Sequence, residues 1–239
     1  MIGGGPYVAP VTYAAFAIVA PRLKWSPLEN GSAIFAAHNA FLSLASLAML
    51  VLVTVEAWRR ASLEGWGFLL CERPDSPRSH AMVVFYASKY YELFDTVLAF
   101  ACKGKGPRYY GMHCYHHFIA VYVTFLYTKG QSLSHLGMAF NTFVHVIMYY
   151  YYARAALGLT STWKNWITRL QILQFVTSFM AVVIALHRNP DLLLPNSTCA
   201  GRNSLLLNAA VNATFLVLFI RILLAPSRSP SKSSNKRSS

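Results

Sequence analysis

Residues 34–57 read IFAAHNAFLSLASLAMLVLVTVEA, a run that is polar only at His38, Asn39, a few Ser and Thr, and Glu56. A helix of about 20 mostly apolar residues crosses the hydrocarbon core of a bilayer, so this run predicts a membrane span. The fold class then depends on how often the pattern recurs. Comparable runs lie at approximately 7–21, 81–102, 112–128, 134–153, 165–187 and 204–224. The expectation is an all-α integral membrane protein with seven transmembrane helices in one domain, residues 1–225. Residues 226–239 are Ser, Pro, Lys and Arg with nothing to bury, which predicts a disordered basic tail. Composition agrees, because 55% of the chain is hydrophobic and 12% charged, against roughly a quarter charged in a soluble domain.

Lys and Arg are retained preferentially on the cytosolic side of a membrane. Arg22, Lys24, Lys103, Lys105, Arg108, Arg154, Lys164, Arg221 and the tail fall on one side of the seven spans, and outnumber Arg59, Arg60, Arg73, Arg78, Lys129, Arg188 and Arg202 on the other. The N-terminus is therefore expected outside the cytosol and the C-terminus inside it. The net charge of +13 is that of a positive-inside membrane protein and calls for no nucleic acid. Residues 1–20 lack the basic region of a cleavable signal, so the first span is expected to serve as its own insertion signal.

Ionisable groups at membrane depth are costly and point to function, and four spans carry them or other polar groups. In Ser88-Lys89-Tyr90-Tyr91-Glu92-Leu93-Phe94-Asp95-Thr96, helical spacing puts Lys89, Glu92 and Thr96 on one face with Asp95 beside it. A buried ion-pair network that only fixes packing is the competing reading, although apolar residues could do that at little cost. His113, His116 and His117 stand at i, i+3 and i+4, one helix face, and three histidines there are either ligands or catalysts. Asn141, His145, Met148 and Tyr152 form a stripe in the fifth span, and Thr168, Gln171 and Gln174 stand in the sixth. Hydrogen bonding between helices competes with substrate binding for this last set.

Lys89-x-x-Glu92-x-x-Asp95-Thr96, His113-x-x-His116-His117, Asn141-x-x-x-His145-x-x-Met148-Tyr149-x-Tyr151-Tyr152 and Thr168-x-x-Gln171-x-x-Gln174 resemble, in order and spacing, the ELO family of very-long-chain fatty acid elongases. The resemblance implies six helices in an inverted barrel around an acyl tunnel, with the first span outside. It also implies a 3-ketoacyl-CoA synthase, an acyltransferase that condenses long-chain acyl-CoA with malonyl-CoA and needs no cofactor or metal. Among the residues, it implies His116 as nucleophile forming an acyl-imidazole, His145 assisting across the tunnel, and His113 and His117 orienting His116. Lys89, Glu92, Asp95 and Thr96 would support the cluster, while Asn141, Met148, Tyr149, Tyr152, Thr168, Gln171 and Gln174 line the substrate path. The implied setting is the endoplasmic reticulum membrane. The implied partners are the ketoacyl-CoA reductase, dehydratase and enoyl reductase of the elongation cycle, with a homodimer left open. The sequence departs from the family at Gly111-Met112 before the histidine box, and at Arg237, where a dilysine retrieval signal carries Lys.

Cys71 and Cys199 fall in non-cytosolic loops, where disulfides are permitted, and Cys102 and Cys114 at cytosolic helix ends. Cys71 with Cys199 is the one pairing consistent with this topology, and the resemblance implies a similar lumenal link. Two free thiols are expected if the loops do not meet. Two alternatives stand beside the elongase. A seven-helix receptor or transporter does not need the histidine face; a His-ligated di-iron enzyme needs a larger histidine set than the eight here, and a mononuclear zinc site stays open although no Asp or Glu follows at a usual ligand spacing.

Overall fold

The computed structural model of the protein describes residues 8–159 and 163–224, and the tail expected to be disordered lies outside the described residues. The described chain is helical, with no strand among the described residues. The elements are α1 (Val8–Val19), α2 (Gly31–Glu64), α3 (His80–Glu92), α4 (Phe94–Lys103), α5 (Tyr110–Tyr127), α6 (Ser134–Ala156), α7 (Lys164–Arg188) and α8 (Arg202–Leu224). They make seven rods, since α3 and α4 are separated by the single residue Leu93.

Three of these helices, α2, α7 and α8, are long and apolar enough to cross a membrane by length and composition. Their outward faces are correspondingly oily. On α7, Val176, Met180, Val183 and Ile184 recur at helical spacing and are all exposed. A surface of that kind is costly against water and suited to lipid. The short α1 is apolar as well, whereas α3 to α6 carry the Lys, Asp, Glu and His of the motifs.

Each rod packs on specific neighbours. The most extensive contact joins α2 to α6, and α6 also packs on α7, α7 on α8, α8 on α5, α5 on α3, and both α3 and α4 on α2. The short α1 leans on α5. At one end α2 approaches α4 so closely that a Cβ on Gly31 would come within 2.5 Å of the Cys102 carbonyl oxygen, and only glycine permits that approach. A central apolar cluster of Met49, Val53, Met82, Phe85, Val123, Met138, Phe175, Val211 and Phe215 joins α2, α3, α5, α6, α7 and α8.

The opposite end is tied by its loops. Cys71 and Cys199 are disulfide-bonded, with Cα atoms 4.9 Å apart. Ser132 N–H donates to the Ala200 carbonyl and Ala200 N–H to that of Glu72, while the Glu72 N–H donates to Ser132 Oγ at 3.0 Å. Arg60, near the end of α2, binds Glu72 through both terminal nitrogens at 3.0 and 2.8 Å. Beneath these loops Leu133, Ala185, Leu192, Cys199 and Leu205 form a second apolar cluster.

Candidate active site

Between the rods runs a cavity of about 1120 Å³ that passes from the Lys103–Tyr109 loop, past the histidines, to Tyr127, Leu133 and Leu205. Its wall changes character along its length. Lys103, Lys105 and Arg108 line the entrance, His113, His116, His117 and His145 the middle, and Val182, Leu133, Leu136 and Leu205 the far end, where Tyr127 and Asn208 add one hydrogen-bonded polar pair. Tyr109 at the entrance and Leu133 at the far end are the two non-glycine residues with positive φ among the described residues. That conformation costs about 1–3 kcal/mol at a non-glycine position and persists only where its surroundings enforce it.

The histidine face survives as a face. His113 and His117 rings lie 4.3 Å apart, His116 and His117 5.4 Å, and His116 faces His145 of α6 at 6.5 Å. Phe215 of α8 closes the other side of His116, with ring centroids 5.2 Å apart.

Beside these rings a buried carboxylate, Glu92, and a half-buried one, Asp95, are held differently. Glu92 Oε1 accepts from Lys89 Nζ at 2.7 Å and lies 3.8 Å from His145 Nδ1. Lys89 donates also to Asn141 Oδ1 at 3.3 Å. Breaking such a buried pair costs about 3–5 kcal/mol, because one charge is left stranded. Asp95 Oδ2 accepts from the Tyr149 hydroxyl at 2.8 Å, and the same oxygen is 3.8 Å from His117 Nε2. Donor atoms of Glu92, His116 and His145 lie within 4.8 Å of one another and could hold a cation. Lys89 already supplies a positive charge to that carboxylate.

The sequence motifs thus meet in one place. Lys89, Asp95, His113, His116, His117, Asn141, His145, Met148, Tyr149, Tyr152, Thr168, Gln171 and Gln174 all line the cavity. Gln171 Nε2 reaches Met148 Sδ at 3.5 Å across the α6–α7 contact. Glu92 and Thr96 sit one layer behind. The helix face expected for Lys89, Glu92 and Thr96 is interrupted at Leu93, and Thr96 turns away from the Lys89–Glu92 pair. Its hydroxyl shares hydrogen bonds with His113 Nε2 at 2.9 Å and with the Tyr13 hydroxyl at 2.8 Å.

Two contributors escape the sequence motifs. Tyr13 comes from the short first helix, and His38 from α2, where Nε2 meets Asp95 Oδ1 at 2.6 Å. His38 and His135, which look scattered along the sequence, are both buried. His135 belongs to the capped end, 3.2 Å from Glu56 Oε1. Lys103, Lys105 and Arg108, which in the sequence bear only on topology, gather at the cavity mouth.

The same arrangement of residues has relatives. Residues 6–234 match the family model described as ELO: GNS1/SUR4 family. A Dictyostelium discoideum protein bearing a provisional fatty acid elongase name is 35% identical over 206 residues, 83% of this chain and 67% of that protein. A Schizosaccharomyces pombe protein with a similar provisional name is 37% identical over 146 residues, 60% of this chain and 43% of that one. Fatty acid elongase 2 of Trypanosoma brucei brucei is 31% identical over 217 residues, 85% of this chain and 78% of that one. The chain spans less than half the length of the fission yeast relative and two thirds of the slime mould one.

Proposed function

This chain belongs to the ELO: GNS1/SUR4 family, and on that premise we propose that it is a membrane fatty acyl-CoA elongase, a 3-ketoacyl-CoA synthase joining long-chain acyl-CoA to malonyl-CoA. The observation that carries the reading is the graded cavity wall: cationic at the entrance, imidazoles in the middle, apolar at the far end. An acyl-CoA has that sequence of parts, with phosphates, a thioester and an alkyl chain. Lys103, Lys105 and Arg108 meet the phosphates, the histidines meet the thioester, and the apolar end takes the tail.

The chemistry uses the chain's own groups. His116 attacks the thioester carbonyl; the C–S bond breaks, and the leaving thiolate takes up the proton that the imidazole gives up, leaving an acyl-imidazole. Malonyl-CoA then loses carbon dioxide, and its α-carbon attacks the acyl carbon. The C–N bond breaks, the departing imidazolate takes up a proton from the medium, and 3-ketoacyl-CoA is the product. His145 lies opposite His116, where it can stabilise the enolate oxygen. Lys89 and Glu92 hold His145, and Asp95, Thr96 and Tyr149 hold the box from the other side. Asn141, Met148, Tyr152, Thr168, Gln171 and Gln174 line the pantetheine and acyl path.

The cyclic order of helix contacts supports six rods forming a barrel with α1 outside. The charge asymmetry supports a non-cytosolic N-terminus; the endoplasmic reticulum setting and the reductase, dehydratase and enoyl reductase that complete a cycle rest on the family premise. The decisive experiment follows carbon dioxide release from labelled malonyl-CoA by purified protein. His116→Ala is expected to abolish it while the protein stays folded, and an acyl adduct on His116 is expected by mass spectrometry when malonyl-CoA is withheld. Normal turnover by the variant would end the covalent mechanism, and inactive wild type together with bound zinc or iron would favour the metalloenzyme.

A further inference from the structure

Resting on the elongase reading, we propose that His38 is a positioning residue that fixes the Asp95 carboxylate for the reaction. His38 is buried in the wall of α2 and does not line the cavity, whereas its partner Asp95 does. Asp95 stands in the first turn of α4, just past the interruption at Leu93. Its two oxygens have separate duties. Oδ1 meets His38 Nε2 at 2.6 Å, and Oδ2 meets the Tyr149 hydroxyl at 2.8 Å and faces His117 Nε2 at 3.8 Å.

Charge and geometry both require something at Oδ1. Lys89 is committed to Glu92, so the ion pairs of Asp95 are with His38 and His117. A carboxylate withdrawn from water needs donors on its oxygens. His38 is itself anchored, with Nδ1 3.4 Å from the Tyr91 hydroxyl and its ring against that of Tyr91. Held at Oδ1, the carboxylate cannot turn about its last bond, and Oδ2 stays directed at Tyr149. The Tyr149 ring in turn packs on His145, centroids 5.4 Å apart. A contact in the barrel wall thereby sets the attitude of two cavity-lining side chains. A simple staple between α2 and α4 would also be broken by substitution, but it would act on stability and not through Asp95.

The test uses full-length protein in detergent and labelled carbon dioxide release at saturating and limiting substrates. His38→Met fills the space without an N–H donor, and His38→Gln retains a donor. Removal of a hydrogen bond to a charged group predicts that His38→Met lowers kcat about tenfold or more, with KM for both CoA substrates within about twofold. His38→Gln should recover most of the loss, and His38→Met combined with Asp95→Asn should lose no more than Asp95→Asn alone. Wild-type kcat in His38→Met, Gln no better than Met, or losses that multiply in the double variant would each overturn the proposal. Should His38→Met fail to fold, His38→Asn, whose donor is too short to reach Asp95, takes its place in the same cycle, and the same outcomes support or overturn the proposal. Wild-type protein that releases no carbon dioxide would overturn the elongase reading and this inference together. An active wild type with any of the preceding contrary results overturns this inference alone.

Discussion

Replacing Leu205 by Ala should let the enzyme add one more two-carbon unit before it stops. Three helices give the same depth for the cavity. On α5, His116 and Tyr127 are eleven residues apart; on α6, His145 and Leu133 are twelve; and on α8, Phe215, which packs on His116, is ten from Leu205. At 1.5 Å per residue these are about 15–18 Å from the reacting centre to the far wall. A straight alkyl chain advances about 1.25 Å per carbon given ordinary carbon–carbon bonds, so about 12–14 carbons fit. Leu205 is 2% exposed and belongs to the apolar cluster at that wall. Trimming it to Ala draws the wall back by about 2–3 Å, two carbons at that same spacing. The assay is a panel of saturated acyl-CoA primers from 10 to about 20 carbons, with products read by mass spectrometry. Wild type should fall off sharply beyond primers of about 12–14 carbons by the same arithmetic, and Leu205→Ala should shift the limit up by two. Leu→Ala in a core costs about 2–5 kcal/mol, so Leu205→Phe provides the converse, shortening the limit without a cavity. A wild type equally active on 12- and 20-carbon primers, or an unchanged limit in both variants, would refute this depth.

Other expectations concern the capped end and the chain's orientation. Gly137→Ala would bring a Cβ within 2.8 Å of the Tyr127 hydroxyl and strain its bond from Asn208; a change in the primer limit with unchanged kcat on 12-carbon primers is expected. Cys71→Ser opens a link across 128 residues, which loop-closure entropy puts at up to about 5 kcal/mol; thermal unfolding should come at clearly lower temperature, with activity at room temperature retained. Burial pushes the Glu72 carboxyl up, but hydrogen bonds from Arg60 and Ser76 more than offset it, and its pKa lies below the ordinary value. Its contribution is therefore complete above the unfolded value of about 4.3 and disappears as pH falls through the lower folded value; unfolding curves should lose stability in that acid window, and Glu72→Gln should flatten the response. Asn196 and Thr198 are exposed at the capped end, and Asn196-Ser197-Thr198 should carry glycan after expression in eukaryotic membranes, whereas glycan on Asn30 of the second acceptor sequence Asn30-Gly31-Ser32 would reverse the proposed orientation.

Most of the architecture was legible because membrane helices advertise themselves locally. The run at 34–57 became the core of α2, which extends at both ends, to Gly31 and Glu64. The interruption at Leu93 was not legible, since neither Pro nor Gly marks it. The histidine face was readable because i, i+3 and i+4 spacing is a property of one helix. His38 was not, because a lone histidine in an apolar run looks the same whether its partner is near or far, and Asp95 is 57 residues away. Tyr13 has its partner 83 residues on, and a tyrosine midway along a short apolar helix carries no local sign of that partner. Pairwise geometry between distant segments decides such residues, and periodicity carries no record of it.

The capped end has a bearing on traffic. On the elongase reading, a far end closed by a disulfide and an arginine–glutamate clasp over an apolar floor has its guests entering and leaving by the basic doorway. An alkyl chain goes in methyl end first and comes out methyl end last, so a freshly lengthened product withdraws its whole tail through the histidine ring before another primer can settle. Bulk at the methyl end is therefore screened at the threshold during loading. Bulk near the carbonyl is screened only at the ring, after the tail has been swallowed.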